Sequence, residues 1–190
     1  MIAPLVIYHA NCFDGFTAAW VAHRALSAPG TPPELCAAQY GQDPPDVTGR
    51  DVYILDFSYK PGAVVEMAKQ ARSVLVLDHH AKMAEKWADF DFCAPVMHRC
   101  TQAHVLNCDM EPMDSGLRVV YDMGDSGASL AWKHFYGDKP VPQLVQYVRD
   151  RDLWKWEMPR SREINAWLRT HDFGLDRWTY LSGYLATGAG

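Results

Sequence analysis

Uninterrupted apolar runs alternate along this chain with stretches whose apolar positions recur at helical spacing. Leu5–Tyr8, Val52–Leu55 and Val74–Leu77 are continuously apolar, as strands buried on both faces of a parallel sheet are. Val74 and Val76 are β-branched, which suits a strand better than so short a helix. The second of these runs extends to a strand over Asp51–Phe57, and Leu35–Tyr40 and Leu117–Tyr121 read as two more. Between them, Asp14-Gly15 opens a helical pattern through Ala18, Ala19, Val21, Ala22, Ala25 and Leu26 that ends before Pro29-Gly30. Pro61 suits the first turn of a helix carrying Val64, Val65, Met67, Ala68 and Ala71. Gly127–Tyr136 predicts a helix closed by Gly137, and Pro142–Asp152 predicts another. No element is predicted between Lys82 and Gly116. Strands alternating with helices imply an α/β fold with a mostly parallel sheet flanked by helices.

The fold class expected from this alternation is a Rossmann-like three-layer domain, and length and composition bound it to one. With 190 residues and 48% hydrophobic content, the chain can bury one good core and is short for two. Residues 1–156 are expected to form that domain, and residues 157–190 a helical, aromatic-rich tail packed on it. Trp154, Trp156, Trp167, Phe173, Trp178, Tyr180 and Tyr184 are expected to cap the core, with stacking on a base as a second use. A formal charge of −5 and pI near 5.9 leave no broad basic field, so large duplex nucleic acid is not an expected partner. Cys12, Cys36, Cys93, Cys100 and Cys108 are an odd set without the spacing of a secreted disulfide framework. The amino terminus lacks a basic region, and no apolar run approaches the ~18 residues of a membrane span. A reducing cytoplasm and no membrane association are expected.

The chemistry gathers at the strand ends. Open α/β sheets place ligands beyond the carboxyl ends of their strands. Val74–Leu77 runs into Asp78, His79 and His80; Val52–Leu55 runs into Asp56; and Leu5–Tyr8 runs into His9, with Asp14 shortly after. A single Asp after a strand is ordinarily the cap of the next helix, and a single His is ordinarily a satisfied side chain. Carboxylates and imidazoles delivered together from three strands are instead the ligand set of Mn2+ or a related divalent ion.

These residues carry a resemblance. His9-Ala-Asn-Cys-Phe-Asp14-Gly15, Leu55-Asp56, Leu77-Asp78-His79-His80, and Asp152 within Arg-Asp-Leu-Trp resemble, in order and spacing, the four motifs of the DHH phosphoesterase superfamily. Ser126-Gly127-Ala128-Ser129 and Asp152-Leu153-Trp154-Lys155-Trp156 resemble the branch that contains nanoRNase-type oligonucleotide hydrolases. The resemblance implies two divalent ions, Mn2+ first, with Mg2+, Co2+, Zn2+ or Fe2+ as alternatives. His9 and Asp56 would hold one ion; Asp14, Asp56, His79 and Asp152 would hold the other, with Asp56 bridging. Asp56, Asp78 and His80 are the implied catalytic residues. His80 either hydrogen-bonds a phosphoryl oxygen as neutral imidazole or protonates the leaving oxygen as imidazolium. Such a centre activates a hydroxide for in-line attack on a phosphodiester.

Two departures accompany the resemblance. Where the superfamily has Asp-x-Asp, this chain has Cys12-Phe13-Asp14, so Cys12 is a further candidate ligand that would favour softer metals. Nothing after residue 156 resembles the carboxyl-terminal substrate domain of the superfamily. A homodimer partner, or the tail with Arg160 and Arg162, is then expected to close the cleft. Ser126, Arg149, Arg151 and Arg160 are candidates for substrate phosphate. Cys93, His98, Cys100, His104 and Cys108 lie within sixteen residues but match no common zinc spacing, so a structural zinc and a variable insertion both stay open. The expected activity is hydrolysis of short or cyclic nucleotides or of single-strand ends. A polyphosphatase or pyrophosphatase of the same superfamily is one alternative, and a catalytically decayed nucleotide-binding module is the other.

Overall fold

The structure is a computed structural model that describes residues 2–88, 105–109 (backbone) and 116–188. Its six-stranded sheet has the order β2-β1-β3-β4-β6-β5, built from β1 (Leu5–His9), β2 (Glu34–Ala38), β3 (Asp51–Leu55), β4 (Ser73–Asp78), β5 (Val105–Asp109) and β6 (Leu117–Asp122). β2, β1, β3, β4 and β6 run parallel, and β5 closes one edge antiparallel to β6. Helices α1 (Phe13–Leu26), α2 (Pro61–Gln70), α3 (Ala81–Ala88), α4 (Gly127–Tyr136), α5 (Gln143–Asp152), α6 (Ser161–Leu168) and α7 (Leu175–Ala186) cover both faces. The fold is a Rossmann-like three-layer α/β domain.

The continuous apolar runs have their cause in this layering. Leu5, Ile7, Val52, Ile54, Val74 and Val76 face the layer of α2 and α3, whereas Val6, Leu55, Leu75 and Leu77 face the layer of α1 and α4–α7. Both faces of the central strands are dry, so period-two alternation of polarity has no place there. α3 and β5 occupy the stretch where the pattern predicts nothing. α3 is short and carries Lys82, Glu85 and Lys86 on its exposed face, leaving Met83, Ala84 and Trp87 to bury. β2 stops at Ala38 and β3 at Leu55, short of the predicted Tyr40 and Phe57. The strand ends because Asp56 takes a left-handed backbone, with φ 54°, which Asp tolerates better than most side chains.

The connection after β1 leads to β2 on one side, and the next leads to β3 on the other. The crevice at the carboxyl ends of β1 and β3 is therefore the topological switch point, where ligands of open α/β sheets bind. The segment after residue 156 closes over the amino-terminal half of α1. Trp20 Nε1 donates to Thr179 Oγ1 and Trp178 Nε1 donates to Thr17 Oγ1, each at 3.0 Å. Phe173 and Trp178 meet Phe13 and Phe16 with ring centroids 5.0–5.8 Å apart. Trp178 is fully buried. Among the described residues, no helix is long and apolar enough to cross a membrane.

If α7 is part of the core, Trp178→Ala lowers the free energy of unfolding by about 3–5 kcal/mol, as a large core truncation does. Urea unfolding followed by circular dichroism measures this. A loss under about 1 kcal/mol would show that α7 is not part of the cooperative unit.

Candidate metal centre

Each strand end contributes one side chain to the crevice, and tight backbone packing holds them together. A Cβ on Gly15 would stand 2.4 Å from the carbonyl oxygen of His9, so glycine lets α1 start directly against the end of β1. A Cβ on Gly127 would stand 2.4 Å from Cβ of Asp56 and 3.0 Å from Oδ2 of Asp14. The amino terminus of α4 is thus pressed onto both carboxylates. Asp14, from the first turn of α1, accepts hydrogen bonds from the backbone N–H of Gly127 at 2.5 Å and of Ala128 at 3.0 Å. Unpaired N–H groups at a helix start favour an anion.

Around this anchor the groups converge on Asp56. Its Oδ1 lies 3.0 Å from His79 Nε2, and its Oδ2 lies 3.6 Å from His9 Nδ1. His79 Nε2 is also 3.7 Å from Asp14 and 3.4 Å from Asp152, which ends α5. Two sets of potential ligands therefore flank Asp56: His9 with Cys12, and Asp14 with His79 and Asp152, the potential ligand atoms of each set lying within 4.8 Å of one another. Asp78 and His80 form a third grouping with Asp56 and His79.

The electrostatics are those of too many carboxylates in too little water. Asp14 and Asp56 are nearly inaccessible. Burial, together with the charges of Asp56 and Asp152, holds the Asp14 carboxyl well above the usual range. Asp152 is raised as well, by burial first and by Asp56. Burial also opposes the charge of Asp56, but the hydrogen bond with His79 and the nearby His9 imidazole outweigh it, and its carboxyl is lowered. Burial alone would lower His79; the hydrogen bond to Asp56 and the charges of Asp14, Asp56 and Asp152 push it up to about 9. Cys12 is held as a thiol by burial and by the charge of Asp56.

These residues fit a divalent cation. Asp56 Oδ2 and His9 Nδ1 are buried, face one another, and have no hydrogen-bond partner among the described residues. Buried polar atoms are left unpaired only rarely. A cation between them would satisfy both and would offset the charge that now raises Asp14 and Asp152.

Asp78 has a different task. Fully buried, it accepts hydrogen bonds from the backbone N–H of His79 and of His80 and lies 2.7 Å from His80 Nδ1. The contact places the Nδ1 hydrogen on His80, leaves Nε2 for the crevice, and raises the His80 pKa. His80 is about one-third exposed.

None of the four substrate-phosphate candidates is among the grouped potential ligands. Ser126 is fully buried and caps α4, accepting from the N–H of Ser129. Arg149 donates to buried Asp125 at 2.5 Å, and Lys133 pairs with the same carboxylate, which ties α4 to α5. The guanidinium of Arg151 lies over the Phe13 ring, 5.6 Å from its centroid. Arg160 is the left-handed N-cap of α6. Asp150, two residues from Asp152, points the other way: it accepts from the N–H of Glu157 and Met158 and from the Ser161 hydroxyl, fixing the loop into α6. Cys93, His98, Cys100 and His104 lie outside the described residues, and Cys108 is described only as backbone in β5. Sequence reasoning passed over Tyr40, read only as the end of a strand. Its ring lies 5.6 Å from His9 and 6.2 Å from His80. The signal available was its place just beyond β2, on the same edge as His9.

No family model matches the chain. It is similar to an uncharacterized protein of Acanthamoeba polyphaga mimivirus, 22% identical over 197 aligned positions that cover 92% of this chain. The chain spans 39% of that protein's length.

Asp152 tests this electrostatic picture. Its raised carboxyl pKa means that the ionised form costs folding stability as pH rises into and past the carboxylate range. Asp152→Asn is therefore expected to raise the Tm in chelator at pH 7.5. It is also expected to forfeit most of the stabilisation by Mn2+, about 2.7 kcal/mol for wild type at a hundredfold excess over Kd. A variant less stable in chelator, yet stabilised by Mn2+ as strongly as wild type, would contradict the assignment. Differential scanning calorimetry reads both arms.

Proposed function

We propose that this chain is a divalent-metal-dependent phosphodiesterase of the DHH phosphoesterase type, acting on short or cyclic nucleotides or the ends of single strands. The observation that carries the reading is Asp56: a buried carboxylate with one oxygen towards His79 and the other, unpaired, towards His9. A carboxylate so placed could serve two ions, one on each oxygen. His9 and Asp56, with Cys12 in reach, would hold one; Asp14, Asp56, His79 and Asp152 would hold the other. This set is hard and mostly oxygen, which favours Mn2+. When bound, a pair of such ions lowers the pKa of water, aligns the nucleophile and neutralises charge on a phosphoryl group.

The remaining work falls to the protein. Asp14, tied to the start of α4, is fixed in position before any ligand arrives, so little reorganisation accompanies binding. His79 would serve as a ligand in its neutral form, so binding of an ion there would be coupled to loss of the proton it now carries. His80 presents Nε2 to the crevice with its tautomer set by Asp78, where it can hydrogen-bond the phosphoryl group or pass a proton to the leaving oxygen. Asp78 thereby positions His80. The free thiols of Cys12 and Cys36 fit a reducing, cytoplasmic setting.

The test is turnover with Mn2+ of a diadenylate carrying a 5′-phosphate, a cyclic dinucleotide, 3′-phosphoadenosine 5′-phosphate and pyrophosphate. The diester substrates are expected to be cleaved, and Asp56→Asn to lose about a thousandfold in kcat, equivalent to roughly 4 kcal/mol. Cleavage of pyrophosphate alone would move the activity to phosphoanhydrides. A folded Asp56→Asn protein with near wild-type turnover would refute the two-ion reading.

A further inference from the structure

Tyr40 stands beside the centre without belonging to it. Two residues beyond the end of β2, its ring rests edge-on against His9 and His80 and packs on Phe57 with centroids 4.9 Å apart. About half of the residue is exposed. Two hollows open from it. One, of about 460 Å³, is lined by Tyr40, His80, Ala81, Lys82, Met83 and Lys86. The other, of about 330 Å³, shares Tyr40, Met83 and Lys86 and adds Phe57 and Lys60, with Asp43 at its wall. Both volumes fall in the range of small-molecule sites, about 300–1,000 Å³.

The lining combines three chemistries. His80 is common to the centre and to the larger hollow, which also presents the Tyr40 ring, Ala81 and Met83. Lys82 and Lys86 line the larger hollow, and Lys60 and Lys86 the smaller; all three are exposed and without an ion-pair partner among the described residues. In a protein of formal charge −5, lysines lining a hollow that shares His80 with the centre complement a ligand with a second anionic group. An exposed ring in the same lining suits a flat π-system, because base–aromatic stacking is sequence-tolerant and substantial.

We propose that Tyr40 and the hollow between it and α3 form a nucleobase subsite, and that Lys82 and Lys86 take the next phosphate along. The substrate class is then a short oligonucleotide that lies from the centre across Tyr40 towards α3. This rests on the preceding reading of the centre as a phosphodiesterase, and goes beyond it by placing the base.

Equilibrium binding in Mn2+ tests the placement without depending on turnover. The probes are adenosine 5′-monophosphate, ribose 5-phosphate and the 5′-phosphorylated diadenylate, titrated calorimetrically into wild type, Tyr40→Ala, Tyr40→Phe and the double variant Lys82→Glu/Lys86→Glu. Wild type is expected to bind the adenylate about tenfold more tightly than the base-free sugar phosphate, which is about 1.4 kcal/mol. Tyr40→Ala should erase that preference and Tyr40→Phe retain it. The lysine variant should weaken the diadenylate about tenfold relative to the monophosphate. Equal affinity of wild type for the two monophosphates, or a preference that survives Tyr40→Ala, overturns the subsite. Hydrolysis of bis-p-nitrophenyl phosphate by wild type reports on the centre separately. Turnover without base preference removes the subsite and keeps the centre, whereas base preference without turnover keeps the subsite and removes the catalytic reading.

Discussion

Like charges confined together dominate this structure. Asp14, Asp56 and Asp152 approach a single imidazole nitrogen to within 3.0–3.7 Å, in a crevice where water is too scarce to screen them. Protons take up part of that charge: His79 is pushed to about 9, and Asp14 and Asp152 are raised. A fold does not keep such a cluster for stability, since apolar side chains would pack there at no electrostatic cost. The cluster makes physical sense as a socket for concentrated positive charge, and the unpaired Asp56 and His9 atoms mark where it would sit.

Much of the remaining architecture holds these side chains together. β1 and β3 are paired as far as Tyr8 and Leu55, so His9 and Asp56 leave the sheet side by side at the switch point, where the crevice opens. The left-handed backbone at Asp56, a conformation that costs a non-glycine residue about 1–3 kcal/mol, turns its carboxylate inward. Gly127 lets α4 bring its first N–H groups onto Asp14. The reciprocal Trp–Thr hydrogen bonds between α1 and α7 brace the helix that carries Asp14. Asp150 braces the loop that follows Asp152.

The central strands were legible because burial on both faces writes an unbroken apolar run, and His9, Asp56, Asp78, His79 and His80 because they stand where such runs stop; Asp14, in the first turn of α1, and Asp152, at the end of α5, were assigned as ligands by the resemblance. Less legible was anything that depends on a distant backbone. That Asp14 is held by Gly127 and Ala128, 113 and 114 residues away in the chain, has no local signature. α3 was missed because its apolar positions are few and interleaved with Lys and Glu, so its amphipathic face shows only against the sheet. Ser126 was read from the sequence as a phosphate candidate only, and its hydroxyl caps α4. Arg149 showed its charge but not the buried Asp125 that claims it. The tail aromatics divide by contact and not by composition: Trp178 is in the core, while Trp154 is 75% exposed.

The account stands or falls on whether divalent ions occupy this crevice. Anomalous diffraction at the manganese edge from crystals grown with Mn2+ addresses that directly. The expected result is two adjacent peaks that share Asp56, one with His9 and the other with Asp14, His79 and Asp152. A crevice without anomalous density at saturating Mn2+, or peaks held by other residues, would contradict it.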